Sequence, residues 1–379
     1  MALIINEEQK MLKNSAKEFL NNRAPISQLR RLRDDKDPTG FDPTVWKEMA
    51  EMGWASLTIP EAYGGLDFGY VGLGQILEET GRTLTASPLV STVLLGSTAV
   101  LLAGDKTQKE TILPAVAAGE IILTMAMDES NHHQPFDIST SATKTDQGYT
   151  LTGKKVFVLD GHVANQIIVL ARTSGDQLGK DGLSLFIVDA SAHGIATKRN
   201  IMMDSRNAAN IELNNVEIPA SALLGKEGEA GHLVEKILDI ARIGLSAEML
   251  GSMLEAFERT MTYLKERQQF GVTIGSFQAL QHRSAIMFGE IELCKSLVMK
   301  SLQAIDKGSK TLPVLASMTK AKVCETIQLV SNEGIQMFGG IGMTDDEEIG
   351  FFLKRARVAQ KTFGDANYHF DRYATLNGY

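Results

Sequence analysis

The sequence predicts an α+β protein of three domains. These are an N-terminal helical domain over about residues 1–121, a middle β-sandwich or β-barrel domain over 122–226, and a C-terminal four-helix bundle over 227–379. Two observations predict this class. Apolar residues recur at helical spacing in the first and third segments, whereas the middle segment carries short β-rich runs. The length of 379 residues also exceeds what one hydrophobic core usually holds.

Helix boundary signals are frequent in the first segment. Asn6 is a predicted N-cap, and Asp42-Pro43 combines a cap with a proline at the first helical position. Further helical patterns run over Gly72–Thr83, Pro88–Ala103 and Lys106–Ala118.

Short β-rich runs, separated by Gly, Asp and Asn, fill the middle segment. The predicted strands are Tyr149–Gly153, Val156–Leu159, Gln166–Leu170 and Leu183–Val188, with edge strands at Asn210–Leu213 and Val216–Pro219. In the third segment, four long helical patterns, the first of them without proline, predict a bundle. They cover about His232–Arg267, Phe277–Lys307, Leu312–Phe338 and Glu347–Lys361.

Composition and charge exclude several classes of protein. A net charge of −8 disfavours nucleic acid and anionic membranes as partners. Cys294 and Cys324 lie in predicted helices and form no disulfide framework, which predicts a reducing cytoplasm. The N-terminus lacks the features of a signal peptide, and the longest apolar stretch is too interrupted to span a membrane.

Two stretches of the third segment form a distinctive pattern: Glu266–Gly271, followed by Ile274, Phe277-Gln278 and Gln281, and Glu333–Gly342. They resemble signature segments of the acyl-CoA dehydrogenase family. Tyr63-Gly64-Gly65 and Leu77-Glu78-Glu79 match as well, so the resemblance covers essentially the whole chain. It implies the three-domain fold, FAD as cofactor, and oxidation of the CH–CH bond of an acyl-CoA thioester.

The same stretches predict a cofactor site. Arg267 is a permanent cation suited to a diphosphate, Gln336 offers an amide, and Gly339-Gly340 lets backbone N–H groups approach a ligand. In the resembled family these positions hold the FAD pyrophosphate and adenosine of a neighbouring subunit. The predicted cofactor-binding residues are Arg267, Gln269, Phe270, Ile274, Gln278, Gln336, Gly339 and Gly340.

The catalytic base of the family has no counterpart at either of its usual places. The two positions of the family glutamate correspond to Phe363 and Ala241, and neither side chain can accept a proton. Asp365 is the nearest carboxylate, and it is a candidate base or a helix cap. Asp239 and Arg242 match family positions near the substrate, with Arg242 also a candidate catalytic residue, but they could also pair with each other.

The flavin-ring segment of the middle domain also departs from the family. Asp128-Glu129-Ser130 stands where the family has Thr-Glu-Pro, and Leu159 replaces a hydroxyl residue that meets the flavin. His132-His133 lies in a proline-containing loop and is interpreted as solvated, so no metal site is predicted.

These departures predict a subunit that provides only half of a flavin site. The chain resembles the non-catalytic partner in heteromeric, steroid side-chain type acyl-CoA dehydrogenases, within a homo- or hetero-oligomer such as a dimer of dimers. The resemblance also implies an electron-transfer flavoprotein as electron acceptor. Three alternatives stay open: a homo-oligomeric dehydrogenase with Asp365 as base, a flavin monooxygenase on the same fold, and a flavin-free scaffold subunit.

Overall fold

The computed structural model describes residues 3–379 and divides them into two compact units. The bundle unit contains the residues up to Arg31, together with Gly69–Thr85 and Arg242–Tyr379. The sheet unit contains Leu32–Phe68 and Ala86–Ala241. The predicted order of helical, β and helical segments is confirmed.

The helices, in chain order, are α1 (Glu7–Arg23), α2 (Ile26–Asp34), α3 (Pro43–Glu51), α4 (Tyr70–Arg82), α5 (Thr98–Ala103), α6 (Lys106–Ala117), α7 (Ala230–Glu266), α8 (Gln278–Asp306), α9 (Leu312–Phe338), α10 (Ile349–Lys361) and α11 (Ala366–Leu376). Within residues 3–379 no helix is both long enough and apolar enough to cross a lipid bilayer.

Two predicted N-caps are confirmed. The Asn6 side chain accepts from the backbone N–H of Gln9, whose side chain in turn accepts from the N–H of Asn6, which completes a capping box. Asp42 accepts from the N–H of Thr44 at the start of α3. Each cap satisfies backbone donors that the first turn of a helix leaves unpaired.

The segment predicted as one helix over Pro88–Ala103 is a wider π-helix at Val90–Ser97 followed by α5. Hydroxyl groups explain the wider turn. Ser97 Oγ donates to the carbonyl of Thr92, and Thr98 Oγ1 donates to that of Val93, each five residues back along the chain. Side chains that bond to carbonyls in this way compete with the regular α-helical ladder.

The strands are β1 (Leu123–Ala126), β2 (Ser141–Lys144), β3 (Gly148–Leu159), β4 (Gln166–Arg172), β5 (Leu183–Asp189), β6 (Ile195–Ile201), β7 (Asn207–Pro219), β8 (Leu223–Leu224), β9 (Gln268–Gln269) and β10 (Val272–Thr273). The first eight join in one sheet with the order β6-β7-β3-β2-β4-β5-β8, and β1 pairs in parallel with β4.

The prediction that Asn210–Leu213 and Val216–Pro219 lie at a sheet edge is wrong. Both segments belong to β7, which pairs with β3 on one side and with β6 on the other. Strand β6 was missed because most of its side chains are polar or exposed, so the sequence shows no alternation there.

The bundle helices surround α9, which packs against α8, α10 and α11. Most of the side chains of α9 are buried, including the polar residues Ser317, Thr319 and Lys320. The predicted bounds of α9 are confirmed, whereas α11 was not predicted. Helix α11 begins directly after the turn in which the candidate base Asp365 lies.

Candidate functional site

A pocket of about 530 Å³ opens at one end of the bundle unit. Its walls come from three places that are distant in sequence: the hairpin β9–β10 after α7, the start of α8, and the end of α9. It is lined by Tyr263, Arg267, Gln269, Phe270, Ile274, Phe277, Leu280, Arg283, Gln336, Met337, Phe338, Gly339, Gly340 and Ile341.

The hairpin places Arg267 at this pocket. Helix α7 ends at Glu266, and the carbonyl of Arg267 accepts from the N–H of Ile274, which closes the loop. Between the two short strands, Phe270 (φ +56°) and Gly271 (φ +79°) both adopt the left-handed conformation that a tight two-residue turn requires. Phe270 therefore projects from the tip, with 89% of its surface exposed.

The two arginines of the pocket differ in their partners. Arg283 is paired with Glu333, with 2.5 Å between Nε and Oε2. Arg267 is exposed, and within residues 3–379 its guanidinium has neither an ion pair nor a hydrogen bond. The pocket therefore offers one uncompensated positive charge, whose planar set of donors matches a phosphate group.

The wall of the pocket at the end of α9 consists largely of exposed backbone. Helix α9 ends at Phe338, and Gly339 (φ +68°) turns the chain into a short 3₁₀ segment that runs to Met343. A Cβ atom added at Gly339 or Gly340 would have no heavy atom within 4 Å, so both positions face empty space. The exposed amide of Gln336 lies beside them.

Seven of the eight predicted cofactor-binding residues thus line one pocket. The exception is Gln278, which begins α8 and does not line it. Sequence reasoning missed Arg283 and the stacked pair Tyr263–Phe338, whose rings lie 4.3 Å apart. The rings lie 75 residues apart along the chain, and no local pattern links them.

Asp365, the candidate base, is held as a helix cap. Its Oδ1 accepts from the N–H of Tyr368 at the start of α11, and its Oδ2 lies 2.6 Å from Lys361 Nζ. The hydrogen bond from Lys361 and that from the Tyr368 N–H lower the pKa of this carboxyl. Both contacts favour the ionised carboxylate in its capping position, and neither turns it toward a substrate.

The side chain of Phe363, at one of the family's base positions, is buried. The residue adopts φ +61°. Its carbonyl accepts two hydrogen bonds, from Arg242 Nε at 3.0 Å and from His369 Nε2 at 3.1 Å. In the next peptide, the Gly364 carbonyl accepts from Lys320 Nζ at 3.0 Å. Three basic side chains therefore fix this turn by its carbonyls.

The remaining predicted substrate and catalytic residues lie on α7. Asp239 and Arg242 are each 1% exposed, and Ala241, the second family base position, is fully buried. Besides its bond to Phe363, Arg242 donates from Nη2 to the Tyr368 hydroxyl. These contacts give Arg242 a positioning role on the turn, and its catalytic and substrate-binding roles stay predictions.

In the sheet unit, the segment that corresponds to the flavin-ring segment of the family is called the ring-side segment. Most of its polar groups form hydrogen bonds with other groups of this chain. Thr124 Oγ1 donates to the carbonyl of Leu159 at 2.6 Å, and Asp128 Oδ2 lies 3.2 Å from His133 Nδ1. Phe157, at φ +51°, leaves 51% of its surface exposed. The predicted solvated loop at His132-His133 is only partly confirmed, since the His133 side chain is 7% exposed.

A buried ion pair anchors the same segment. Lys155 of β3 is fully buried, and its Nζ lies 2.7 Å from Glu129 Oε1, which follows β1. Burial lowers the pKa of Lys155 to about 8. Burial would raise the pKa of Glu129, but the charge of Lys155 and hydrogen bonds from Lys155, Ser139 and Thr140 lower it to about 2.

Comparison with known proteins identifies the class. Family models of the acyl-CoA dehydrogenase N-terminal, middle and C-terminal domains match residues 6–120, 124–216 and 230–375. The chain therefore belongs to the acyl-CoA dehydrogenase family. It is an oxidoreductase of the class that acts on CH–CH donors, and FAD is the cofactor of that class.

Individual relatives cover nearly the whole chain. An acyl-CoA dehydrogenase of Bacillus subtilis is 28% identical over 94% of both chains. Mitochondrial isovaleryl-CoA dehydrogenase of Pongo abelii is 30% identical over 93% of this chain and 85% of its own.

Solved structures show the same fold. Butyryl-CoA dehydrogenase of Megasphaera elsdenii is 25% identical with a TM-score of 0.92, covering 100% of both chains. A chain from the electron transferring flavoprotein structure of Acidaminococcus fermentans is 27% identical with a TM-score of 0.93, covering 100% of both. A chain of the steroid ACAD Tcur3481–Tcur3483 is 29% identical with a TM-score of 0.87, covering 98% of both.

The two ends of an FAD molecule fit this chain unequally. The bundle pocket supplies an unpaired guanidinium, open glycine backbone and an amide, which suit a diphosphate and its adenosine. In the ring-side segment, Leu159 has no hydroxyl where the resembled family has one. The carbonyl of Leu159 accepts from Thr124 Oγ1.

Proposed function

We propose that this chain is a subunit of an acyl-CoA dehydrogenase that oxidises the α,β bond of an acyl-CoA thioester. In this proposal it contributes the site for the FAD diphosphate and adenosine to a partner subunit, which provides the flavin-ring site and the base. The observation that carries the proposal is the unpaired Arg267 in an open, glycine-walled pocket, within a chain that has no carboxylate at either family base position.

Each part of the chain has a distinct task in this proposal. When bound, the flavin accepts the hydride from the β-carbon. Arg267 and the backbone at Gly339-Gly340 bind the diphosphate, and Gln336 orients the adenosine. Phe363 and Ala241 accept no proton, so the α-proton passes to a carboxylate of the partner.

The similarity to a steroid ACAD supports a heteromeric partner and a bulky acyl group, and we include both in the proposal. It also includes a dimer-of-dimers assembly, an electron-transfer flavoprotein as acceptor, and the cytoplasmic location that the composition predicts.

Purification of the full chain with and without its native partners tests the proposal. We expect the chain expressed alone to carry much less than one FAD per chain and to show no acyl-CoA-dependent bleaching of flavin absorbance. The complex isolated from the native host should contain a second polypeptide, bind FAD, and bleach with acyl-CoA. Stoichiometric FAD and robust dehydrogenation by the lone chain would contradict the proposal.

A pair of variants tests the pocket itself within that complex. Arg267→Met should weaken FAD retention by roughly 10- to 150-fold, since a charge-assisted hydrogen bond contributes about 1.5–3 kcal/mol. Lys265→Met is the matched control, because Lys265 is an exposed cation that does not line the pocket. Equal FAD content in the two variants would show that Arg267 does not hold the cofactor.

A further inference from the structure

A lysine and a cysteine meet inside the bundle unit, away from the pocket. Lys320 and Cys324 lie one turn apart on α9, and both side chains are fully buried. The Nζ of Lys320 lies 3.2 Å from the Sγ of Cys324. The four-residue spacing on α9 therefore places the amine beside the thiol.

The surroundings keep the amine at this place. Its nitrogen also donates to the carbonyls of Ala359, Gln360 and Gly364, at 3.0–3.2 Å. The first two carbonyls lie in the last turn of α10, where the helix dipole attracts a cation, and the Gln360 carbonyl also accepts from Cys324 Sγ at 3.7 Å. Within residues 3–379 no carboxylate forms an ion pair with Lys320.

The missing carboxylate matters for the reactivity of the amine. Burial lowers the pKa of Lys320 because the charged ammonium is poorly solvated there. The lowered pKa increases the unprotonated fraction of the amine, in which the nitrogen has a lone pair and is a nucleophile, and the Cys324 sulfur lies 3.2 Å from this nitrogen.

We propose that Lys320 and Cys324 form a redox-dependent covalent bridge when the protein meets hydrogen peroxide or another hydroperoxide. The oxidant first converts the Cys324 thiol to a sulfenic acid and is itself reduced to water or an alcohol. The unprotonated Nζ then attacks the sulfur. An N–S bond forms, the S–O bond breaks, and the hydroxide leaves with a proton of the amine as a second water.

The bridge changes the contacts of the turn after α10. A bond to sulfur draws Nζ toward Cys324 and away from the carbonyl of Gly364. The turn that precedes α11 thereby loses one of the hydrogen bonds that hold it in place. Reduction by a thiol restores the amine, the thiol and the original hydrogen bonds.

Tryptic mass mapping of the peroxide-treated full chain tests the proposal. An N–S bond blocks cleavage after Lys320, so segment 311–322 should appear joined to segment 323–354. The joined species should weigh two hydrogen atoms less than its unmodified parts. Treatment with dithiothreitol before digestion should abolish it, and backbone amides of α11 should exchange faster in the oxidised chain.

Three controls keep the test decisive. Cys294 is also fully buried, but within residues 3–379 no lysine nitrogen forms a hydrogen bond with its sulfur, so no bridge is expected there. Cys324→Ser and Lys320→Arg should each abolish the joined peptide. The serine variant keeps the lysine and its carbonyl bonds, so it remains informative if the arginine variant does not fold.

Two results would overturn the proposal. One is oxygen added to Cys324 with normal cleavage after Lys320. The other is a joined peptide that forms equally well in urea-unfolded chain, where the helix no longer brings the two groups together.

Discussion

The turn between α10 and α11 shows how neighbouring residues acquire different roles. Phe363 is buried and offers only its carbonyl, whereas Asp365, two residues later, caps α11 and pairs with Lys361. A base must be within hydrogen-bond reach of the proton it removes. The oxygens of Asp365 are already engaged at the helix start, so its contacts favour the cap that the sequence also predicts.

Substitution of Asp365 separates the two roles. Asparagine caps a helix about as well as aspartate but cannot act as a base, so Asp365→Asn should leave stability and turnover of the native complex nearly unchanged. Asp365→Ala should lower the free energy of unfolding by about 1 kcal/mol and also leave turnover intact. Thermal unfolding and flavin bleaching measure these effects.

A loss of turnover in both variants would instead identify Asp365 as the base. It would favour the homo-oligomeric alternative, in which the chain is active on its own.

The site residues that could be predicted from the sequence are those whose structural context is set by residues close to them in the chain. Arg267 and Gly339 stand at helix ends, which local sequence signals predict, and their cofactor role stays a prediction that the family resemblance implies. Arg283 could not be predicted in the same way, since its partner Glu333 lies 50 residues away, and the carbonyls that hold Lys320 lie 39 to 44 residues away. For Lys320 a signal existed: it shares a helix face with the buried Ala316 and Cys324.

At the scale of elements, the pair Lys155–Glu129 joins β3 to the segment after β1. Glu129 also accepts from the backbone and hydroxyl of Ser139 and from the N–H of Thr140. One carboxylate thus connects the strand to the far end of the loop 130–138. Such a pair is costly to break from one side, because the remaining charge stays buried without a partner.

Single and double substitutions measure this effect. Glu129→Gln should reduce the free energy of unfolding by about 3–5 kcal/mol, because Lys155 then stays buried without its counter-charge. Adding Lys155→Met to it should recover part of the loss. Chemical denaturation of Glu129→Gln, Lys155→Met and the double variant gives the coupling energy between the two side chains. Additive effects of the two substitutions would show that the pair does not act as a unit.

Low pH should weaken the ion pair between Lys155 and Glu129. The folded pKa of Glu129, about 2, lies below its ordinary value of 4.5, so its stabilisation is present above pH 4.5 and is lost as the pH falls toward 2. Glu129→Gln removes this part of the acid dependence.

Helices and strands whose apolar residues recur at a regular spacing could be predicted from the sequence, whereas those without such a spacing could not. The bounds of α9 match the prediction because long apolar periodicity and a proline at its start define it. Helix α11 was missed although Asp365 was a candidate cap, because its capping bond to Tyr368 becomes visible only with the fold. Strand β6 depends on β7 for its place, which no local pattern reveals.

At the scale of the whole molecule, one face of α8 exposes apolar side chains. Ile286 and Leu293 lie seven residues, about two turns, apart on this face and are 57% and 55% exposed. The nearby charges Glu292 and Lys295 pair with each other. The same helix lines the pocket with residues near its start. An exposed apolar face beside the open pocket is what the proposed shared cofactor site would require.

A double substitution on this face tests whether assembly and cofactor binding are coupled. In the native complex, Ile286→Glu with Leu293→Glu should weaken subunit association at least about tenfold, because the glutamates would lose water without gaining partners. Mass measurement in solution follows the assembly, and absorbance follows FAD. Met11→Glu, at a residue that is 71% exposed on α1, is the control. We expect FAD to be lost together with the partner here, whereas Arg267→Met should lose FAD from an intact assembly. Retention of both by the double variant would show that the partner binds elsewhere.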